Sequence, residues 1–207
     1  MTICIKYAEA TDEIDGIFRT RHKVYVEEEG YMAAQPGGRV YDRFDAYPTT
    51  VNIIAVDDRR IIGGVRFCAP SAAGAPPDDF FDFAAYLPEN ARGGSGSMLC
   101  IERAYRRIPE LAFSLMGMGL RWAREQGLSS IIGAANPDVQ KFLVRFGFQP
   151  LAQATYDEHK RLRFIPVILS MDELSAKILA FLEEQRYDQC WIAARYKPGR
   201  AVGEAEG

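Results

Sequence analysis

A chain of 207 residues, 48% hydrophobic and 26% charged, suits one domain and is long enough to bury a real core. Its 25 basic and 28 acidic residues leave a formal net charge of −3, which excludes the basic footprint of a nucleic-acid-binding protein. No apolar run approaches the roughly 20 residues of a membrane span, and the opening stretch MTICIKYAEATDE lacks a basic-then-apolar leader, so a cytoplasmic protein with no membrane span is expected.

In chain order, TICIKYAE alternates apolar and polar residues like a first strand. Thr11 or Asp12 is placed to cap the next helix, in which Ile14, Phe18, Arg21 and Tyr25 recur at helical spacing and which Gly30 ends. A loop then carries Asp42 and Asp45, framed by aromatics. TVNIIAVD and RIIGGVRFCAP read as two strands of a hairpin turning at DDRR. Residues 71–96, rich in Pro, Gly and Ala around FFDFAAYLP, form a long loop of the functional or mobile kind. It covers an active site, meets a partner subunit or caps the core. SMLCIERAYRR is the following strand.

A helix over about 110–127 buries Leu111, Leu115, Met118 and Trp122 as its stripe. SSIIGAAN is a short apolar strand, and Pro137 opens the helix PDVQKFLVRFG. RLRFIPVILS is a late strand, and MDELSAKILAFLEEQ a final helix with Leu174, Ile178 and Leu182 on one face. A strand meander followed by strand–helix alternation predicts an α/β (α+β) protein, a central mixed twisted sheet with helices on both faces. The expected organisation is a main domain over residues 1–170, a helical extension over 171–196 and a disordered tail over 197–207.

Cys4, Cys68, Cys100 and Cys190 lie far apart with no C-x-x-C spacing and are expected to be reduced and mostly buried. With only His22 and His159 available, no metal site is expected.

The element order β-α-β-β-β-α-β-α-β resembles the GNAT acyltransferase fold. Within it RHKVYVEEEGY, YDRFD, GGVRF and IERAYRR resemble the motif ladder of acyl-homoserine-lactone (autoinducer) synthases and of long-chain N-acyl amino acid synthases, over about residues 5–170. Arg21, Tyr25 and Tyr31 stand at the ladder's arginine and two aromatics, and Asp42 and Asp45 at its acid pair. Arg66 stands at its strand arginine and Glu102 at its strand glutamate. NPDVQKFLVRFGFQPL is similar to the family's later helix, glycine and strand. Autoinducer synthases usually carry Trp where Tyr31 stands and Arg where Tyr105 stands. Both departures fall in the part of the ladder associated with the amino substrate and weaken the lactone reading more than the acyltransferase reading.

The resemblance implies a lid over the active site, lined by Arg21, Asp42, Asp45 and Arg66. The aspartates can accept from a substrate ammonium, and either arginine can hold a carboxylate in bidentate fashion. The alternative is that the four charges pair with one another and order the loop. Glu102 is the candidate general base, directly or through a water, with backbone amides near a strand bulge as the oxyanion donors. Cys100, with no histidine near it in sequence, reads as a buried thiol rather than a nucleophile.

For the donor, RRIPELAFS replaces the glycine-rich turn with which acetyl-CoA enzymes of this fold hold a pyrophosphate, and Pro109 removes an amide. An acyl-phosphopantetheine carried on acyl carrier protein is therefore expected ahead of acyl-CoA, with Arg103, Arg106 and Arg107 facing the acidic carrier and no permanently bound cofactor. Met98, Leu99, Leu115, Met116, Met118, Trp122 and Phe142 are candidate lining of an acyl tunnel. Gly117 and Gly119 inside the helix indicate close packing or a cavity.

The leading expectation is an N-acyltransferase moving a medium or long acyl chain from acyl carrier protein to the amine of an amino acid or related acceptor. The rivals are a lactone synthase using S-adenosylmethionine, an acetyl-CoA-dependent acetyltransferase and a non-catalytic acyl-ligand sensor.

Overall fold

The computed structural model describes residues 3–157, 162–184 and 191–192. His159, Cys190 and the expected tail at 197–207 lie outside the described residues. Strand β1 (Ile3–Tyr7) buries Ile3 and Ile5 by simple alternation. Helix α1 (Thr11–His22) is capped from within rather than by Thr11 or Asp12. Ala10 is its first boundary residue, and the Glu13 carboxylate reaches back to the amides of Glu9 (3.1 Å) and Ala10 (3.2 Å). A glutamate three residues into a helix can satisfy the orphan donors when the cap position has no oxygen. The same carboxylate takes Lys6 at 2.7 Å.

The chain continues from α1 into a π-helical turn, Lys23–Glu28, and the left-handed Gly30 (φ +66°) follows it. The buried residues of α1 are Ile17, Thr20 and Arg21; of the expected stripe Arg21 is buried, whereas Ile14, Phe18 and Tyr25 are only partly so. Strands β2 (Thr50–Asp57) and β3 (Arg60–Cys68) form the expected hairpin. Asp58 and Arg59 both have positive φ, 45° and 67°, the mirror-type turn that matches strand twist.

Then come β4 (Gly93–Ile101), α2 (Pro109–Glu125), β5 (Ser130–Ala135), α3 (Pro137–Arg145), β6 (Gln149–Pro150), β7 (Thr155–Asp157), β8 (Leu162–Ser170), α4 (Ala176–Glu184) and β9 (Trp191–Ile192). The sheet order is β6-β8-β5-β4-β3-β2-β1-β9, with β7 added beside β8. Among the described residues only β4 and β5 run parallel; the sheet is mixed, as expected.

Helix α1 covers one face of β3 and β4, close enough that a Cβ on Gly64 would sit 2.6 Å from Ile17 Cδ1. Helix α2 covers the other face, where the main core gathers Ile53, Val65, Phe67, Leu111, Leu115, Met118, Ile131 and Val167. Gly119 is there for close approach: a Cβ on it would lie 2.0 Å from the Phe67 ring.

The 71–96 loop is shorter than expected, because β4 begins at Gly93, four residues before the expected strand start. Short turns at Pro76–Asp79 and Ala84–Tyr86 structure it. Pro76, Pro77 and Phe83 are buried, and the Phe80 ring lies 4.8 Å from that of Phe164. The segment packs on β4 and β5.

Among the cysteines, Cys68 and Cys100 are free and buried, but Cys4 is disulfide-bonded. The expectation of reduced thiols throughout fails at Cys4, because distance along the chain says nothing about proximity once the sheet has formed. Among the described residues no helix is long and apolar enough to cross a membrane, and no group of His, Cys, Asp and Glu is arranged to hold a metal.

Candidate active site

β4 is the strand around which the site is built. It pairs with β5 over only Gly93–Ser95 against Ser130–Ile132, and then runs on to Ile101 without it. On its other edge β3 advances from Gly64 to Arg66 while β4 advances from Cys100 to Ser97, so β4 carries one extra residue. Met98 takes up the excess at φ +54°, which makes this a β-bulge beside the opening between the strands. The sequence contains no signal for it, since Met98 is not a glycine.

On the α1 face, a charged network closes over the sheet. Arg21, wholly buried, directs Nη1 to both oxygens of Asp45 at 3.0 Å and Nη2 to Asn52 Oδ1. Arg66, also wholly buried, reaches Asp42 Oδ1 (2.6 Å) and Asp45 Oδ2 (2.9 Å) through Nη1, Asp42 Oδ2 (3.0 Å) through Nη2 and Ser97 Oγ (3.0 Å) through Nε. The aspartates sit on the short turn Arg43–Ala46: Asp42 accepts from the Phe44 amide, and Asp45 from that of Asp42. Burial alone would raise Asp42, but the Arg66 hydrogen bond and charge outweigh it and hold the carboxyl below its usual value. Two cations and two anions thus neutralise one another. Only Asp42 retains exposed side chain, 34% against 3% for Asp45.

The four residues are brought together as expected, and they pair with one another. Asn52 and Ser97 complete the network and were missed in the sequence. The missing signal is register: Asn52, Arg66 and Ser97 are direct cross-strand neighbours.

Glu102 lies one residue beyond β4 rather than within it. Its amide still donates to Ile62 O at 2.9 Å, but its backbone turns into the short helix Arg103–Tyr105. The side chain is almost wholly buried and accepts from Lys23 (2.8 Å) and Arg60, both on Oε2. Neither cation was foreseen. Tyr105, where the family ladder has arginine, instead donates to Asp57 Oδ2 at 2.9 Å.

Tyr25 hydrogen-bonds to the Leu99 carbonyl at 2.8 Å, and the Tyr31 amide donates to Tyr25 O at 2.7 Å. Burial pushes the Cys100 thiol up to about 11, so it is no thiolate. Arg103 and Arg106 are exposed and hold the Glu28 and Glu29 carboxylates. Arg107 is exposed and makes no ion pair among the described residues.

The expected tunnel lining divides. Leu115, Met116 and Met118 are core side chains, exposed by 3% or less. Leu99, Trp122 and Phe142 are partly buried at the core's edge, and Met98 is the bulge residue. An open cavity of about 290 Å³ lies instead at the seam of α2 and α4, lined by Pro109, Glu110, Phe113, Ser114 and Phe181. Phe142 borders it through Phe113, ring to ring at 5.1 Å.

A mixed sheet whose parallel pair, β4 and β5, parts beside a bulge, with a helix on each face, defines the GNAT-like acyl-CoA N-acyltransferase fold. Solved structures agree. The N-acyl amino acid synthase FeeM from uncultured soil microbes superposes with a TM-score of 0.70 at 18% identity, covering 84% of this chain and 93% of that one. The CoA-dependent acyl-homoserine lactone synthase BjaI gives 0.66 at 21% identity over 89% of each chain. An acyl-CoA N-acyltransferase from Pseudomonas aeruginosa gives 0.58 at 16%, covering 82% of this chain and all of that one (100%). No curated protein matches by sequence. Residues 16–171 match the model of the N-acyl amino acid synthase FeeM family, and the chain belongs to that family. It is an N-acyltransferase.

Proposed function

We propose that the protein transfers a medium or long acyl chain from acyl carrier protein, in the cytoplasm, to the amine of an amino acid or amino-acid-like acceptor. The observation that carries this reading is the bulged β4, which runs on past Ser95 without β5 beside it and has the charged network on one face. The thioester enters between β4 and β5, its carbonyl against the bulge amides, where fixed donors favour the oxyanion of the tetrahedral intermediate. The acceptor lies over Asp42, the exposed member of the network, and its ammonium first gives one proton to solvent there, so that a neutral amine meets the thioester.

Glu102 takes the proton that the amine loses on attack. Lys23 and Arg60 both converge on Oε2, which leaves Oε1 for the amine or a bridging water. Collapse of the intermediate expels the phosphopantetheine thiol. The chain's apolar end occupies the seam between α2 and α4. Tyr105 bound to Asp57, rather than an arginine, supports an amino acid over S-adenosylmethionine. The glycine-free start of α2 supports carrier protein over CoA, with Arg107 as the basic contact left unpaired.

The test offers purified protein decanoyl groups on carrier protein and on CoA, with amino-acid mixtures or S-adenosylmethionine as acceptor, and reads products by mass spectrometry. N-acyl amino acids from the carrier thioester, abolished in Glu102→Gln, are expected. Transfer from CoA alone would overturn the donor assignment, and lactone with methylthioadenosine the acceptor assignment.

A further inference from the structure

The β4 bulge is not held by the sheet alone. A non-glycine residue at positive φ costs about 1–2 kcal/mol, and such a conformation persists only where its surroundings over-determine it. Here β5 has already left the strand's edge, and the tie comes from elsewhere. The Tyr25 hydroxyl donates to the carbonyl of Leu99, the residue after Met98, at 2.8 Å.

Tyr25 is itself firmly placed. It sits in the π-helical turn Lys23–Glu28, and its carbonyl accepts from the amides of Tyr31 (2.7 Å) and Met32 (3.2 Å). π-Helical turns recur at functional sites because they redirect a side chain that an α-helix would point elsewhere. Burial holds the phenol well above its usual ionisation range, so the group is a permanent donor. In an extended strand the N–H and C=O of one residue project to the same side. A bond on Leu99 O therefore also fixes where the Leu99 amide points.

We propose that Tyr25 is a positioning residue, clamping the bulge of β4 through the Leu99 carbonyl so that the bulge amides face the thioester in the β4–β5 cleft. This rests on the acyl-transfer reading above. Tyr25 touches no reacting atom in this role; it acts through the backbone it orients. A phenylalanine there would fill the same space and leave the peptide free to turn.

The test compares full-length wild type with Tyr25→Phe, using whichever decanoyl thioester the wild type accepts. The variant should lower kcat about tenfold and leave both KM values within about twofold, as loss of one orienting hydrogen bond predicts. A second readout is the infrared carbonyl stretch of an isotope-labelled decanoyl-phosphopantetheine analogue in which the sulfur is replaced by a methylene. It should move to higher frequency when bound to the variant, because misaligned amides polarise the carbonyl less. A lowered kcat with an unmoved stretch would make Tyr25 a packing residue and overturn the proposal. So would a variant equal to the wild type in both. A wild type that acylates no amine would instead sink the acyl-transfer reading, and this proposal with it.

Discussion

Arg66 and Asp45 meet at 2.9 Å with side chains 0% and 3% exposed, and the same carboxylate takes Arg21 at 3.0 Å. One aspartate on a surface turn thus joins a strand in the middle of the sheet to the helix that covers it. The Asp45→Asn variant keeps the shape and removes the charge, leaving two buried guanidiniums with only Asp42 between them. Breaking a buried pair from one side costs about 3–5 kcal/mol. Urea unfolding at neutral pH should show a loss of that order, and a loss below about 1 kcal/mol would mean that the network relaxes into water.

Asp42 gives the acid dependence. Its folded carboxyl titrates below the unfolded value of 3.8, because Arg66 outweighs burial. A depressed acid contributes stability in full above the unfolded value and loses it as pH falls through the folded one. Asp42→Asn can still accept from the Phe44 amide but has no charge to lose. The stability difference between wild type and variant should be flat near neutrality and shrink once pH drops below 3.8. A difference constant through that range would show that the Arg66 pairing contributes nothing to the titration.

Gly119 separates two opposing effects. Alanine in a helix gains about 1 kcal/mol over glycine, whereas forcing an extra methyl into a packed core costs about 1–3 kcal/mol or more. The methyl would sit 2.0 Å from the Phe67 ring, which is wholly buried and flanked by Trp122 at 6.5 Å. Overpacking wins, and Gly119→Ala should lower Tm. A raised Tm would mean that Phe67 has room to move.

Phe113 tests where the acyl chain ends. It lines the cavity at the seam of α2 and α4 and packs on Phe142 and Phe146 at 5.1 and 5.0 Å. Phe113→Trp should shorten the preferred chain by about two methylenes, each worth about 0.8 kcal/mol of burial. Competition between thioesters of graded length would read this directly. An unshifted profile would place the chain elsewhere.

By itself the sequence determined the order of the main elements, because alternation and helical spacing are local properties; it missed the short strands β6, β7 and β9, the last of which joins β1 where a helical extension was expected. The strand runs, the Asp58–Arg59 turn, Pro137 at the head of α3 and the stripe of α2 all emerge within a few residues of where they were expected. It also determined which residue types a site could use, since Arg21, Asp42, Asp45, Arg66 and Glu102 stand in one spaced series. Tertiary structure alone decided how they are spent. Register put Asn52 and Ser97 beside Arg66, and sheet packing brought Lys23 and Arg60 to Glu102 from 79 and 42 positions away. The mismatch between β3 and β4 made a bulge at an ordinary methionine, and the fold gave Cys4 a partner that spacing did not suggest. Hydrogen bonds and ion pairs act over a few ångströms whatever the separation in the chain, so the partners of each polar group were fixed only when the sheet closed.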